Sequence, residues 1–392
     1  MAAVGMLILA LSCLASSEEG FFPIGVWYEG NPSFAGYPSD PEGAERYYEE
    51  TFADIASHGL NTVVVPNCPE ELYGVLLRVA GRHGLRVILE VRSLVDLVTG
   101  EESPSDDEVE EVVSEVVGRL GSYRSLLRYQ IRDEPPPDEM ENWIKVQRAI
   151  LRTDPAHPGF SCFNDPRSLD AAEKEGVLSE AVFDIYPFTP RTPVGEFGYF
   201  LGRLKKFEEA SGGLPKWFVL QAHAYPGVLR YPTPLELKAT THIALAHGAK
   251  GIFYFLYQTM PEHPQRLQGL VGPDLEEGPL YPVVEELAEE LGRLVPTLLG
   301  LEPCPPFAEV EEDCARFPSV RGGIEVGFFR DRKLRPYLVI ANRDLEEEVA
   351  VRVVAEEKFD LLYDVLEGAE LPLGDKVSIP PGGGRVLGLL RR

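Results

Sequence analysis

Short apolar runs alternate with amphipathic stretches along the first three quarters of the chain. Between the runs, hydrophobic residues recur at helical spacing, for example over 42–58 and 107–120, and Gly59 and Gly248 follow such stretches as caps. Alternating strands and helices imply right-handed crossovers and a parallel sheet, and eight units suit a closed barrel. Residues 22–298 are therefore predicted to form a (β/α)8 TIM barrel. Its predicted strands are 22–28, 62–66, 86–91, 127–133, 159–164, 182–186, 217–223 and 251–257.

The pattern changes after Pro305. Short runs of alternating residues, separated by turn residues, replace the strand–helix alternation, and no strong helical periodicity remains. This pattern predicts a small C-terminal antiparallel β-sandwich domain over 306–392. Its predicted strands are 325–329, 337–342, 349–354, 361–364 and 385–390.

The N-terminus carries a short apolar run at 7–14, followed by small residues. We expect a signal peptide over 1–18 and a secreted or periplasmic location, although no basic residue precedes the run. Cys13 leaves lipid anchoring open. In an oxidising compartment Cys304 and Cys314 could form a disulfide; two free thiols are the alternative. No later segment predicts a membrane span.

Acidic residues outnumber basic ones by 63 to 37, giving a formal charge of −26. A field of this sign repels nucleic acid and anionic membranes, so neither is expected as a partner. The seven histidines are scattered and no C-x-x-C pair occurs, so no metal site is expected. Nothing else in the sequence indicates a cofactor, and the oligomeric state stays open.

The carboxyl ends of the strands build the active site of such a barrel, so the polar residues there are candidates. Strand alternation predicts that Gln130, Arg132 and Glu134 face the barrel interior, and that Asp184 and Tyr186 share one side. An interior lined by charged groups is costly unless the groups are paired or used. Expected substrate-binding residues are Tyr28, Glu29, Asn67, Glu90, Arg132, Asn164, Tyr186, Gln221, His223 and Tyr257.

The sharpest motif is Tyr-Gln-Ile-Arg-Asp-Glu-Pro-Pro at 129–136. It places Asp133 and Glu134 at the predicted end of strand 4, where two prolines stop the strand. A solvated helix start is the structural alternative. Asp133-Glu134-Pro135 resembles the Asn/Asp-Glu-Pro signature of clan A barrel glycosidases, and 22–26 and 246–254 resemble barrels of the β-galactosidase type. The resemblance implies a carbohydrate substrate and Glu134 as the general acid/base.

Strand 7 departs from the resemblance. Clan A enzymes carry a nucleophilic Glu there, whereas this chain has Gln221 and no acid before Glu236. An amide cannot form a glycosyl-ester intermediate, so three interpretations stay open. Asp133 could orient a 2-acetamido group in a substrate-assisted glycosidase. Alternatively, Asp184 or Glu90 could act as nucleophile or base, or the barrel could bind sugar without cleaving it.

Overall fold

A computed structural model describes residues 20–38, 40–260, 265–312, 323–356 and 358–391. The expected leader at 1–18 and Cys314 lie outside these ranges, so export and the Cys304–Cys314 disulfide stay predictions. Within the described ranges, no helix combines the length and apolar character needed to cross a membrane.

Eight parallel strands form the N-terminal sheet, and their neighbours run in the order β5-β4-β3-β2-β1-β8-β7-β6. Phe163 joins the two ends, because its N–H donates to the Val182 carbonyl at 2.9 Å and it bridges to Phe183. The predicted barrel is thereby confirmed. Its strands are β1 (Ile24–Trp27), β2 (Thr62–Val65), β3 (Arg86–Glu90), β4 (Leu126–Gln130), β5 (Gly159–Phe160), β6 (Ala181–Ile185), β7 (Lys216–Gln221) and β8 (Ala249–Phe255).

Helices surround the barrel, and most follow a strand along the chain. One of them, α8, begins with a capping box in which Thr233 and Glu236 satisfy each other's backbone N–H groups. The helices are α1 (Pro41–Ser57), α2 (Tyr73–Arg82), α3 (Arg92–Thr99), α4 (Asp106–Leu120), α5 (Met140–Thr153), α6 (Pro166–Lys174), α7 (Gly198–Ala210), α8 (Pro234–Ala246) and α9 (Tyr281–Leu298).

Side chains alternate between the barrel interior and the helix layer, as β geometry requires. Trp27, Ile88 and Trp217 belong to an inner cluster, whereas Tyr129 and Phe183 pack with the surrounding helices. The predicted alternation on strand 4 is therefore correct as far as Gln130, where the strand ends three residues earlier than predicted.

The C-terminal strands form two antiparallel sheets, in the orders β10-β13-β16 and β15-β14-β17-β12-β11-β9. They enclose a separate apolar core that includes Leu338, Val351 and Leu387. This arrangement confirms the predicted β-sandwich class. Its strands are β9 (Glu302–Pro303), β10 (Ala308–Glu312), β11 (Ile324–Arg330), β12 (Pro336–Asn342), β13 (Val349–Ala355), β14 (Leu361–Asp364), β15 (Ala369–Pro372), β16 (Lys376–Ile379) and β17 (Gly384–Leu390).

The larger C-terminal sheet packs on α8. Phe329, Val339 and Val386 join the outer core of the barrel rather than that of the sandwich. Residues 239–246 of α8 are buried without a break, because barrel strands cover one side of the helix and the C-terminal sheet the other. The two parts of the chain therefore share one apolar interface.

Candidate active site

Five carboxyl groups gather at the mouth of the barrel, at the carboxyl ends of the strands. Glu29 follows β1, Glu90 ends β3, Asp133 and Glu134 follow β4, and Asp184 lies in β6. Parallel strands bring these ends to the same rim, which is why residues far apart in the chain meet there. The carboxyl groups influence one another electrostatically across the mouth.

The backbone turns sharply at Glu134. Its φ of 48° is in the left-handed region, which is unfavourable for a non-glycine residue and tends to occur at functional sites. The Glu134 N–H donates to the Cys162 carbonyl at 3.0 Å, so the turn is tied to the neighbouring strand. The carboxylate then accepts a hydrogen bond at 2.7 Å from the Asn164 side-chain amide. The turn thus directs Glu134 towards β5 and β6.

Glu134 and Asp184 lie near enough for their charges to interact. Burial raises the pKa of both groups, and the charge of Glu134 raises that of Asp184 further. The Asp184 Oδ1 atom is buried with no hydrogen-bond partner. Of two neighbouring carboxyl groups, one holds its proton to a higher pH than an isolated carboxyl does.

Asp133 lies beside this pair. Withdrawal of its carboxyl from water, followed by the charges of Glu134 and Glu90, raises the pKa of Asp133 to about 8. Its Oδ1 atom is buried and has no hydrogen-bond partner. Asp133 is therefore largely protonated at neutral pH and can donate a hydrogen bond as well as accept one.

Asn67 connects the two acids on the opposite side of the mouth. Its side-chain amide donates to Glu29 at 3.0 Å, and its backbone N–H donates to Glu90 at 3.4 Å. Burial raises the pKa of Glu29 to about 7, and burial likewise raises that of Glu90. Both acids hold their protons more strongly than exposed carboxyls do.

Arg132, Tyr186 and His223 complete the rim. Arg132 donates to Glu139 at 2.9 Å and to the Asp133 carbonyl at 2.8 Å, so it is engaged within its own loop. The ring of His223 meets Tyr186 edge-on, with centroids 5.0 Å apart. Because burial lowers the pKa of His223 to about 4, this residue is neutral at neutral pH and is no cation there.

Gln221 has a structural role. It is fully buried, accepts a hydrogen bond from the Phe188 N–H at 2.9 Å and donates to the Arg230 carbonyl at 2.8 Å. It thereby connects the loops that follow β6 and β7. The amide is thus occupied by backbone groups, and the expectation that Gln221 contacts the substrate stays a prediction.

Glu236, the next acid along the chain, is also occupied. Its carboxylate pairs with Arg230 at 2.8 Å and accepts from the backbone N–H groups of Thr233 and Gly195. Burial opposes ionisation, but these hydrogen bonds outweigh it and lower the pKa of Glu236. Neither residue therefore supplies a nucleophile at strand 7.

Two predicted substrate-binding residues lie elsewhere. Tyr28 is buried in the helix layer, where its hydroxyl meets Thr51 of α1 at 2.8 Å. Tyr257 is also buried, and its hydroxyl donates to Asp54 of the same helix at 2.6 Å. That either residue contacts the substrate stays a prediction. Trp27 points into the barrel, so alternation turns Tyr28 outwards.

Gln130 is the residue that the sequence analysis left out of the site. It is fully buried, stands opposite Glu90 in the β3–β4 register, and neither polar atom of its amide has a hydrogen-bond partner. Its predicted inward orientation, three residues before Asp133, was the signal that could have identified it. Among the described residues, no group of three or more potential ligands could hold a metal ion.

No protein-family model matches the sequence, and no curated protein matches it. Solved structures do resemble the fold. A β-galactosidase from Bacillus circulans sp. alkalophilus aligns with a TM-score of 0.70 and 9% identity, over 96% of this chain and 100% of that chain. A family 5 glycoside hydrolase from Bacteroides vulgatus aligns with a TM-score of 0.63 and 12% identity, over 96% and 93%.

A third similar structure is the β-galactosidase from the psychrophilic Marinomonas ef1, with a TM-score of 0.54 and 14% identity. The match covers 71% of this chain and spans 61% of that enzyme's length. At such identities the similarity establishes the fold alone. The chain therefore has the barrel fold found in glycoside hydrolases.

Proposed function

We propose that this protein is a glycoside hydrolase in which Glu134 is the general acid. The observation that carries the proposal is the position of Glu134 at the barrel mouth, where its carboxylate accepts from Asn164 at 2.7 Å and the carboxyl of Asp184 lies nearby. A general acid must hold a proton at working pH, and the pKa of Glu134 is raised. Asp184 is then a positioning residue that keeps a proton available for the leaving-group oxygen.

The proposal leaves two routes for the second half of the reaction. In a substrate-assisted route, Asp133 orients the 2-acetamido group of the sugar, and that group attacks the anomeric carbon. In a direct route, a second carboxylate acts as nucleophile or as base for water, and Glu90 and Asp184 are the candidates. The unpartnered Oδ1 atom of Asp133 favours the first route, since it has a free acceptor position.

A sugar-binding barrel without hydrolysis is the second candidate function. One observation favours it: the position of the strand 7 nucleophile is filled by Gln221, and the amide is committed to backbone groups. Such a barrel would keep the polar mouth and the Tyr186 surface but would turn over no substrate.

Hydrolysis of a broad panel of aryl glycosides tests the proposal. Glu134→Gln should lower kcat/KM by about 10²–10⁴-fold, because the amide keeps the shape but donates no proton to the leaving group. Glu309→Gln, an equivalent change at an exposed position of β10, is the control and should retain full activity. Binding of sugars with no cleavage anywhere in the panel would replace the hydrolase proposal by the sugar-binding one.

Asp133→Asn separates the two routes. In the substrate-assisted route the variant should lose most turnover, about 10²-fold or more, and the wild-type protein should cleave only 2-acetamido sugars. In the direct route the variant should retain much of its activity, and glycosides with a plain 2-hydroxyl should be substrates. Comparing kcat on the two sugar classes for wild type and variant identifies the route.

A further inference from the structure

Arg203 of α7 reaches the loop that follows β5. Its guanidinium donates a hydrogen bond to the backbone carbonyl of Asn164, although the two residues lie 39 positions apart in the chain. The side-chain amide of the same asparagine donates to the Glu134 carboxylate at 2.7 Å. One residue of this loop therefore connects an arginine of the helix layer to the proposed general acid.

The guanidinium of Arg203 is itself held in place. Arg203 precedes Phe207 by one helical turn, and its Cζ atom lies 4.9 Å from the centre of that ring. Phe207 is fully buried and stacks on Phe183 of β6, with ring centroids 4.6 Å apart. A guanidinium over an aromatic face is attracted by the ring and loses little further freedom when it donates a hydrogen bond. The outer core of the barrel thus orients Arg203.

The barrel sheet holds the preceding residue of the loop. The Phe163 N–H donates to the Val182 carbonyl at 2.9 Å, and the Phe163 carbonyl accepts from the Asp184 N–H at 3.4 Å. The next carbonyl along the chain is that of Asn164, which accepts from Arg203. Because the Asn164 side chain is exposed, packing does little to fix it. The bond from Arg203 is therefore the restraint on the peptide that carries the amide.

The positive charge of Arg203 also acts at the barrel mouth. Burial raises the pKa of Asp184, and the negative charges of Glu134 and Asp133 raise it further. Arg203 opposes that rise, because a nearby cation favours the ionised form of a carboxyl. Burial likewise raises the pKa of Glu134, and Arg132 opposes it from the loop after β4. The two arginines therefore act on the acids from opposite neighbouring elements.

Resting on the proposed function, we propose that Arg203 is a positioning residue for the general acid. By holding the Asn164 backbone, it keeps the side-chain amide against Glu134. An N–H donor at the Oε2 atom of Glu134 leaves Oε1 to carry the proton that the leaving group takes. Arg203 thus acts through Asn164 rather than on the sugar, and its loss should impair proton transfer more than binding.

Aryl glycosides with different leaving groups test the proposal in the full chain. Arg203→Met keeps a long side chain over Phe207 but removes the donor and the charge. It should lower kcat/KM by about tenfold on methylphenyl glycosides, whose leaving oxygen needs a proton, and by less than about twofold on dinitrophenyl glycosides, whose leaving group needs none. Lys205→Met, the same loss of charge at an exposed position of α7, should change neither value.

The pKa of Glu134 is a second readout that needs no turnover. Carbon NMR of labelled glutamate side chains measures it, with the signal assigned by its absence in Glu134→Gln. A hydrogen-bond donor and a nearby cation both favour the ionised carboxyl, so this pKa should rise by at least about 0.5 in Arg203→Met and in Asn164→Ala. It should stay unchanged in Lys205→Met. The alkaline limb of kcat/KM should move to higher pH together with the pKa, because a general acid is active while protonated.

Equal losses of kcat/KM on the two kinds of leaving group, or an unmoved Glu134 pKa in Arg203→Met, would overturn the proposal. Should that variant fail to fold, Asn164→Ala decides, because an unmoved pKa there breaks the same connection. Raised pKa values in a protein that cleaves no glycoside contradict only the hydrolase proposal. Cleavage of glycosides with both pKa values unmoved contradicts only the role of Arg203.

Discussion

Glu134 occupies a backbone conformation that costs about 1–3 kcal/mol in a non-glycine residue. Its φ of 48° is maintained by the bond from its N–H to the Cys162 carbonyl, although the following Pro135 favours an extended conformation at this residue. A regular strand would place the side chain elsewhere. The unfavourable turn is therefore the local feature that brings the carboxyl to Asn164 and Asp184.

Asp184→Asn tests the role of the carboxyl pair. The variant removes the group that shares the proton, and its amide donates a hydrogen bond to ionised Glu134, which lowers the pKa of Glu134. A general acid is active while protonated, so activity falls as pH rises through its pKa. The alkaline limb of the kcat/KM profile should therefore move to lower pH in the variant.

Asp165→Asn is the matched control for that profile. Asp165 lies on the loop after β5 and caps α6, a role that asparagine also fills well. The control should keep the alkaline limb where the wild type has it. An alkaline limb unmoved by Asp184→Asn would show that the pair does not set the ionisation of the general acid.

At the scale of single elements, the positions of the strands could be predicted from the sequence better than the directions of the side chains at their ends. All eight barrel strands were predicted near their true positions, because apolar runs and glycine caps are local signals. Alternation also placed Gln130 inside correctly. It failed beyond Gln130, the last residue of the strand, since 131–134 leave the strand and Asp133 as well as Glu134 then reaches the mouth. Proximity to a strand end does not give the direction of a side chain, and Tyr28 and Tyr257 are both buried in the helix layer.

Packing of the C-terminal sheet on α8 was not predictable from local patterns. One glycine in the sequence nevertheless fits this close packing. A Cβ atom on Gly327 of β11 would lie 1.9 Å from the Ala246 carbonyl oxygen of α8. A glycine inside a strand often marks such a close backbone approach. The contact joins elements about eighty residues apart, so no periodicity within either element reveals it.

Gly327→Ala should lower the free energy of unfolding by about 1–3 kcal/mol, because the sheet must move away from α8 to admit the methyl group. Thermal and urea unfolding measure the change. Gly118→Ala in α4 is the control, since nothing lies within 4 Å of the added atom and alanine favours a helix. It should raise stability by about 0.5–1 kcal/mol. Similar changes in both variants would contradict a tight α8–β11 contact.

At the scale of the whole molecule, two histidines lie at the interface between the barrel and the C-terminal sheet, where they contact acidic side chains. His242 of α8 bonds to Glu290 at 3.0 Å and to the Gly382 carbonyl at 3.1 Å. His247 follows the end of the same helix, where a positive charge interacts favourably with the helix dipole. It lies 3.0 Å from Glu208 of α7 and 3.6 Å from Glu325 of β11. The protonated imidazole of His247 thus interacts with one acid of the barrel and one acid of the C-terminal sheet.

This arrangement predicts a loss of stability at alkaline pH. Burial opposes the charged form of His247, but the interactions with the carboxylates of Glu208 and Glu325 outweigh it and raise the pKa from 6.5 to about 9. A raised pKa stabilises the folded state fully below the unfolded value of 6.5. The contribution, about 1–3 kcal/mol, is then lost as pH rises towards 9.

Urea unfolding of wild type and His247→Gln between about pH 6 and 9.5 measures that contribution. The difference in free energy of unfolding should be largest at the acidic end and should shrink as the imidazole loses its proton. Glu325→Gln removes the partner on the C-terminal sheet and also breaks a pair with Arg343 at 3.3 Å, whose contribution does not change over this pH range. Its effect should therefore follow the same pH dependence with a smaller amplitude, on top of a constant loss. Parallel curves for wild type and His247→Gln would mean that the imidazole does not hold the two parts of the molecule together through its charge.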